Sequence, residues 1–383
     1  MVHISEREEQ LPDAVIGKLL KIAAEDKNVI SLSVGEPDFI TPKPILDHAK
    51  SVIKKSTHYS PTQGLKELRE SISKKLKKEN KINANPDNIV VTVGSQEAMF
   101  GALLCTLDPG EDIIVPNPSY LAYTPAIELV NAVPNYVKLE EEDGFEINPD
   151  RIRQAINKKK TKAIIINSPS NPTGNVLNKK TLEEIADIAV ENDLYVFSDE
   201  AYEKLVYDKK HISIGSLNGM KKYVITLQTF SKSYAMCGFR VGYMHAPSNI
   251  TSALIKSLHY VTLSASTLSQ NLALKALTIS NKYTEDMKKE YNKRRLYIVK
   301  RLNDLGLRTR TPNGAFYAFA NIKHLKMKSY NFADKLLKKS KVAVVPGTEF
   351  GKYGEGYIRF SYATDLSKIK TGLDRVEKFI NKI

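Results

Sequence analysis

The middle of the chain alternates short β-branched runs with stretches of helical period. Ile89-Val90-Val91-Thr92-Val93 reads as a strand, and Gly94-Ser95-Gln96-Glu97-Ala98 opens a helix with apolar positions Met99, Leu103 and Leu107. Asp108-Pro109-Gly110 is a turn, 113–115 a strand and Pro116-Asn117-Pro118 a loop, and a helix is expected from about Ser119. Further strands are expected at 163–166, 194–197, 223–227 and 240–243, with a helix over 181–190 between the first two. Continuous apolar strands alternating with helices predict an α/β fold, a mostly parallel sheet covered on both faces.

From about residue 286 the texture changes. A charged helix over 287–305 precedes short strands near 315–319, 342–345 and 357–361, which predicts a smaller α+β unit. At about 150 residues per domain, 383 residues accommodate two. No internal repeat, low-complexity tract or flexible linker interrupts them. Cys105 and Cys237 are too few for a disulfide framework or a Cys-rich zinc site, and the seven histidines show no metal-ligand spacing, so no metal is expected. The N-terminus is acidic where a secretory signal would be apolar, and no stretch approaches the ~18 apolar residues of a membrane span. The expectation is a cytoplasmic protein with no membrane partner. The net charge of +14 arises from 57 basic residues, of which only 12 are arginine. The lysines sit beside glutamates, as in Lys66-Glu67, which describes solvated helix faces; no nucleic-acid partner is expected.

In a doubly wound sheet, ligands sit at the C-terminal ends of the strands. The unusual residues fall there: Asn167-Ser168-Pro169-Ser170-Asn171-Pro172-Thr173-Gly174 after 163–166, Ser198-Asp199-Glu200-Ala201-Tyr202 after 194–197, and Thr229-Phe230-Ser231-Lys232-Ser233 after 223–227, with Arg240 eight residues beyond the lysine. Singly, each has an ordinary explanation: a turn, a helix cap, a surface lysine. Jointly, they converge on one ligand type. Ser95 and Gln96 at a helix start offer backbone N–H groups to a phosphate, and Arg240 with the hydroxyl of Ser231 or Thr229 completes the cup. A lysine, a carboxylate, an asparagine and a tyrosine on neighbouring strand ends are what a pyridoxal phosphate site requires.

The chain resembles the class I aminotransferases of fold type I, the archaeal aspartate and aromatic aminotransferases among them. The resemblance runs from Ser31-Leu32-Ser33-Val34-Gly35-Glu36-Pro37-Asp38-Phe39 to Tyr357-Ile358-Arg359-Phe360-Ser361. Its most specific motifs are Asn-Pro-Thr-Gly at 171–174, Ser-Asp-Glu-Ala-Tyr at 198–202, and Ser-Lys at 231–232 followed by Gly-Phe-Arg-Val-Gly at 238–242. It implies a large domain, 45–285, with a mostly parallel seven-stranded sheet between helices, and a smaller α+β domain from both chain ends, 1–44 and 286–383. It implies pyridoxal 5'-phosphate as cofactor, with Lys232 as the Schiff-base lysine and the base of the 1,3-proton shift. Asp199 would pair with the ring nitrogen, Tyr202 and Asn171 would bond the ring's 3-oxygen, and Tyr120 would stack on the ring. Arg359 would clamp the substrate α-carboxylate, helped by the Gly35 backbone. Tyr59 would reach the phosphate in a neighbouring subunit, implying a homodimer with shared sites.

The implied activity moves the α-amino group of aspartate or an aromatic amino acid to 2-oxoglutarate by ping-pong kinetics, so the partners are amino acids and 2-oxo acids. The best-known aspartate enzymes use a second arginine for the distal carboxylate. Here none lies between Arg240 and Arg294, 260–266 offers only hydroxyls, and Arg294 and Arg295 are expected to face solvent from a charged helix. Such a site should discriminate weakly for dicarboxylates and admit aromatic side chains. Another aminotransferase, for alanine or of broad specificity, and a β-lyase of the same fold are the alternatives. An amino-acid-sensing regulator is disfavoured because too few residues precede residue 29 for a DNA-binding domain.

Overall fold

Alternation within the β-branched runs sorts the central side chains into two cores. Along 163–166, Ile164 and Ile166 join Ile114, Ile185 and Val196 on one side, while Ala163 and Ile165 join Ile113, Phe197 and Ile225 on the other. This is the two-residue period of strands buried on both faces. The structure, a computed structural model, describes residues 3–11, 17, 22 and 25–382. Of the expected small-domain spans, positions 1, 2, 12–16, 18–21, 23, 24 and 383 lie outside the described residues.

The strands, in chain order, are β1 (Ile30–Ser31), β2 (Ile89–Thr92), β3 (Asp112–Asn117), β4 (Val133–Lys138), β5 (Thr161–Asn167), β6 (Tyr195–Asp199), β7 (Val224–Thr229), β8 (Gly242–His245), β9 (Tyr317–Asn321), β10 (Val342–Ala343), β11 (Val345–Pro346) and β12 (Tyr357–Ser361). Seven form one sheet in the order β2-β8-β7-β6-β5-β3-β4. Only β8 runs antiparallel to its neighbours, β2 and β7, so the expected mostly parallel α/β sheet is the one present. The helices Gly94–Thr106 and Ser248–Val261 pack on one face, and Lys179–Glu191 on the other.

Beside it stand the antiparallel sheet β11-β12-β9 and the parallel pair β1-β10. Their core takes Phe316, Phe332, Ile358, Phe360 and Leu373, together with Leu32 from early in the chain and Tyr202 and Leu205 from beyond β6. No helix among the described residues is long and apolar enough to cross a membrane.

Four local expectations change. Strand β4, absent from the sequence reading, is a sheet edge with a single buried residue, Val137, and a proline, Pro134, that an edge tolerates. The helix expected from Ser119 begins at Tyr123, because Pro118 precedes Ser119 and the Ser119 N–H donates to the Phe350 carbonyl (3.0 Å). The strand expected at 240–243 is Gly242–His245, because Arg240 takes a left-handed conformation (φ 49°) that ends the preceding turn. Finally, Arg294 and Arg295 are buried, at 5% and 2% exposure. Arg294 Nη1 donates to both Asp38 oxygens (2.9 Å each) and packs its guanidinium over Phe39 and Tyr291. Arg295 Nη1 donates to Asp208 Oδ2 (2.5 Å) and the Pro312 carbonyl (2.7 Å). A charged helix hides such contacts because their acceptors lie far away in sequence.

Removing a buried cation leaves its acceptors unpaired. Arg295→Ala is expected to cost about 3 kcal/mol of stability in denaturant melts. Lys282→Ala, whose partner Asp286 is one exposed helical turn away, should leave the midpoint unchanged. Equal effects would contradict this assignment of buried and surface charges.

Candidate active site

Because β5, β6 and β7 are parallel neighbours, their C-terminal ends deliver Asn167, Asp199 and Thr229 to the same edge. A cavity of about 770 Å³ opens there. Its lining contains Gly35, Ser95, Gln96, Tyr120, Asn171, Asp199, Tyr202, Ser231, Lys232, Arg240 and Arg359. Of the residues expected from the sequence, Tyr59 alone is missing. It stands 85% exposed, away from the cavity.

The helix Gly94–Thr106 aims its N-terminus into this space, where its first N–H groups lack intrahelical acceptors. Glu97 folds back to accept the Val93 N–H (2.6 Å). Gly94 has φ +79°, and a Cβ there would lie 2.5 Å from Arg240 Nη2, so the glycine admits the guanidinium against the helix start. Arg240 Nη1 donates to the Cys237 carbonyl (3.1 Å). Thr229 Oγ1 accepts the Ser231 N–H (3.1 Å) and donates to Ser231 Oγ (2.9 Å), fixing the turn before Lys232.

Asp199 is buried, which pushes its carboxyl pKa up. The Tyr123 hydroxyl donating at 2.6 Å and the Ala201 N–H at 3.1 Å act against that rise. Asn167 Nδ2 donates to the Asp199 carbonyl (3.0 Å) and its Oδ1 accepts the Asn171 N–H (2.8 Å), stitching the Asn-Pro-Thr-Gly turn to the end of β6. Lys232 Nζ donates to the Gly35 carbonyl (2.7 Å), and burial lowers its pKa. Arg359, on β12, donates through Nη1 to Asn171 Oδ1 (2.9 Å) and through Nη2 to the Ser33 carbonyl (2.6 Å), leaving its buried Nε without a partner. Its guanidinium lies 4.4 Å from the Tyr317 ring centroid. Tyr317 and Tyr202 share a hydroxyl–hydroxyl bond of 2.7 Å, and burial raises the Tyr317 hydroxyl to about 12.

Sequence reasoning gave no role to Tyr123, Tyr317 or Asn167. Only Asn167 carried a signal, as the strand-end residue in line with Asp199. Cys237 donates to the Ser231 carbonyl (3.2 Å) and burial raises its pKa, the opposite of the lowering that a reactive thiol needs.

The cavity fits pyridoxal 5'-phosphate by the chemistry of its donors. Its lining brings together a helix start with an arginine against it, a buried carboxylate, a lysine with a lowered pKa and an arginine whose Nε is orphaned. The profile of the family "Aminotransferase class I and II" matches residues 27–376. Aspartate aminotransferase of Pyrococcus abyssi is 47% identical over 99% of this chain and 98% of its own length. Aromatic-amino-acid aminotransferase 2 of Thermococcus litoralis is 42% identical over the same shares. The crystal structure of the aromatic aminotransferase from Pyrococcus horikoshii OT3 superimposes with a TM-score of 0.91 at 45% identity, covering 96% of this chain and 99% of that one. The chain belongs to the class I and II aminotransferases and is a pyridoxal-phosphate-dependent enzyme of that family.

Proposed function

We propose that the chain transfers the α-amino group of aspartate or an aromatic amino acid to 2-oxoglutarate, and that the residues around the cavity divide the work as follows. Bound pyridoxal 5'-phosphate supplies the aldehyde that takes up the amino group and a protonated ring that draws electrons from the substrate's α-carbon. Ser95, Gln96, Ser231 and Arg240 hold the phosphate, and Tyr120 covers the ring face. Asp199 keeps a proton on the ring nitrogen, while Asn171 and Tyr202 bond the 3-oxygen. Lys232 Nζ anchors the cofactor and then carries the proton from the substrate's α-carbon. Arg359 grips the α-carboxylate beside Gly35. The observation that carries this reading is the meeting of Lys232, Asp199 and Arg359 in one cavity with a helix N-terminus.

The donor range follows from the walls. Phe100, Leu121, Pro125 and Ala126 give the cavity an apolar side that suits an aromatic ring. Arg294, the first arginine after Arg240, is engaged by Asp38 and is no candidate for a distal carboxylate. The related aspartate and aromatic enzymes support a donor range that spans both.

We further propose a cofactor-binding domain over 45–285 and a smaller domain built from both chain ends, whose approach brings Gly35 and Arg359 onto the substrate and excludes water. Tyr59, Tyr260 and Val261 are exposed at 85%, 82% and 64%, which supports burial against a second copy, with Tyr59 reaching that copy's phosphate. The enzyme would work in the cytoplasm.

The absorbance spectrum of purified protein should show a visible band that bleaches on adding aspartate or phenylalanine and is absent in Lys232→Ala. A band that neither amino acid bleaches would refute the donor assignment. Arg359→Lys should lower kcat/KM roughly 100-fold for either donor, because a point charge replaces a planar fork. In the cofactor-free protein, an amine-acylating reagent should modify Lys232 with a rate that rises with pH and levels off below 10.5, the ordinary lysine value, because only the neutral amine reacts and burial lowers the pKa. Peptide mass spectrometry reads that rate, and a midpoint at the surface-lysine value would contradict it.

A further inference from the structure

Behind the cavity, on the far side of β6, lies a buried charged cluster that none of the roles above uses. Asp199, the last residue of β6, lines the cavity, whereas Glu200, the residue after it, does not. Glu200 is 1% exposed. Its carboxylate accepts from Ser198 Oγ (2.9 Å), Ser213 Oγ (2.5 Å), Asn80 Nδ2 (3.1 Å), His211 Nε2 (3.1 Å) and Gln228 Nε2 (3.2 Å). The Asn80 and Gln228 amides also donate to Glu203 (2.6 and 2.9 Å), so two carboxylates share two amide bridges. Lys75 completes the set with an ion pair to Glu203 and a bond to Asn80 Oδ1 (2.8 Å).

Glu79 also pairs with Lys204 (2.7 Å) and lies 3.9 Å from Lys75, so three carboxylates and two ammoniums leave a net negative charge, which a low-dielectric site disfavours. His211, with its side chain 10% exposed, is the group able to balance it. Glu200 and Glu203 favour its charged form, Lys75 and burial oppose it, and the outcome is a raised pKa. Glu200, Glu203 and His211 also lie close enough to share a metal ion. However, Lys75 already occupies Glu203, and five donors occupy Glu200. The charge of Glu200 extends to Asp199, where it adds to the rise in that carboxyl's pKa.

We propose that Glu200 is a second carboxylate that strengthens Asp199 as the acceptor at the cofactor's ring nitrogen, and that Lys75 and His211 set how much of its charge is felt. This rests on the reading of Asp199 as the ring-nitrogen partner. Glu200, Lys75 and His211 are positioning residues, since none of them lines the cavity.

Two measurements test it. In the cofactor-free full chain, the His211 ring is titrated by NMR with labelled histidine. Glu200→Gln should lower its midpoint by about one unit or more, the effect of losing an adjacent opposite charge. In the holoenzyme, the pH midpoint of the visible band is followed. Glu200→Gln, which removes a negative charge, should lower it. Lys75→Met, which removes a positive one, should raise it, each by about half a unit. A purely structural role would move both midpoints the same way or neither. If Glu200→Gln does not fold, Glu203→Gln replaces it with the same sign. If Lys75→Met does not fold, His211→Asn replaces it, read below the His211 midpoint. Shifts of one sign, no shift, or an unmoved His211 midpoint overturn the proposal. A wild-type protein without a visible band overturns the site reading itself, whatever His211 does.

Discussion

A guanidinium with 2% of its surface exposed and no carboxylate paired with it among the described residues is the constraint around which this molecule is arranged. Arg359 donates to two neutral acceptors, the Ser33 carbonyl and Asn171 Oδ1, and lies between the faces of Tyr317 and Phe350. Neutral acceptors and aromatic faces only partly replace lost hydration. The cation therefore lacks a matching anion within the protein, which supports the proposal that it receives a substrate carboxylate. The same contacts join three distant stretches of chain: the segment after β1, the turn after β5, and β12. A site that needs all three can form only when the two sheets are docked.

The dependence reaches outward through charge pairs. Asp38, three residues beyond Gly35, is gripped by Arg294, and the Gly35 carbonyl receives Lys232. Glu141, at 3% exposure, accepts from Arg308, from Asn321 on β9 and from Tyr357 on β12. Tyr357 lies two positions before Arg359 on the same face, so Glu141 ties the strand that carries the arginine to the loop after β4. None of these carboxylates touches the cavity, yet each fixes the register of a strand or loop that does.

Legibility from sequence followed the same division. Runs such as 89–93 and 163–166 announce strands because both faces are buried and all positions but Thr92 are apolar. The chemistry is readable because a parallel sheet places its strand ends together, so Asn171, Asp199 and Lys232 could be grouped before any distance was known. What stayed hidden is whatever depends on packing between distant segments. β4 is an edge whose composition resembles a loop, and Arg294 and Arg295 look like any pair of charges in a helix of mean polar character. Tyr317 is one more aromatic in a strand until β9 pairs with β12 and sets its ring against Arg359.

Lysine shows how environment, more than residue type, distinguishes function here. Most of the basic residues are lysines, and exposed helical pairs such as Lys43 with Asp47 or Lys338 with Asp334 contribute little. Lys75 and Lys232 are both drawn inside, and their partners differ. Lys75 faces the Glu203 carboxylate, so its charge is compensated and it serves to hold other groups. Lys232 donates to a backbone carbonyl, and desolvation acts on it without a carboxylate bonded to it, which favours the neutral amine. A neutral amine is nucleophilic and can accept a proton; a paired ammonium can do neither. Lys232, buried with no carboxylate bonded to it, thus has the environment that the proposed covalent link requires, and the adjoining strand end, with Glu200 among five donors, shows the opposite solution one layer away.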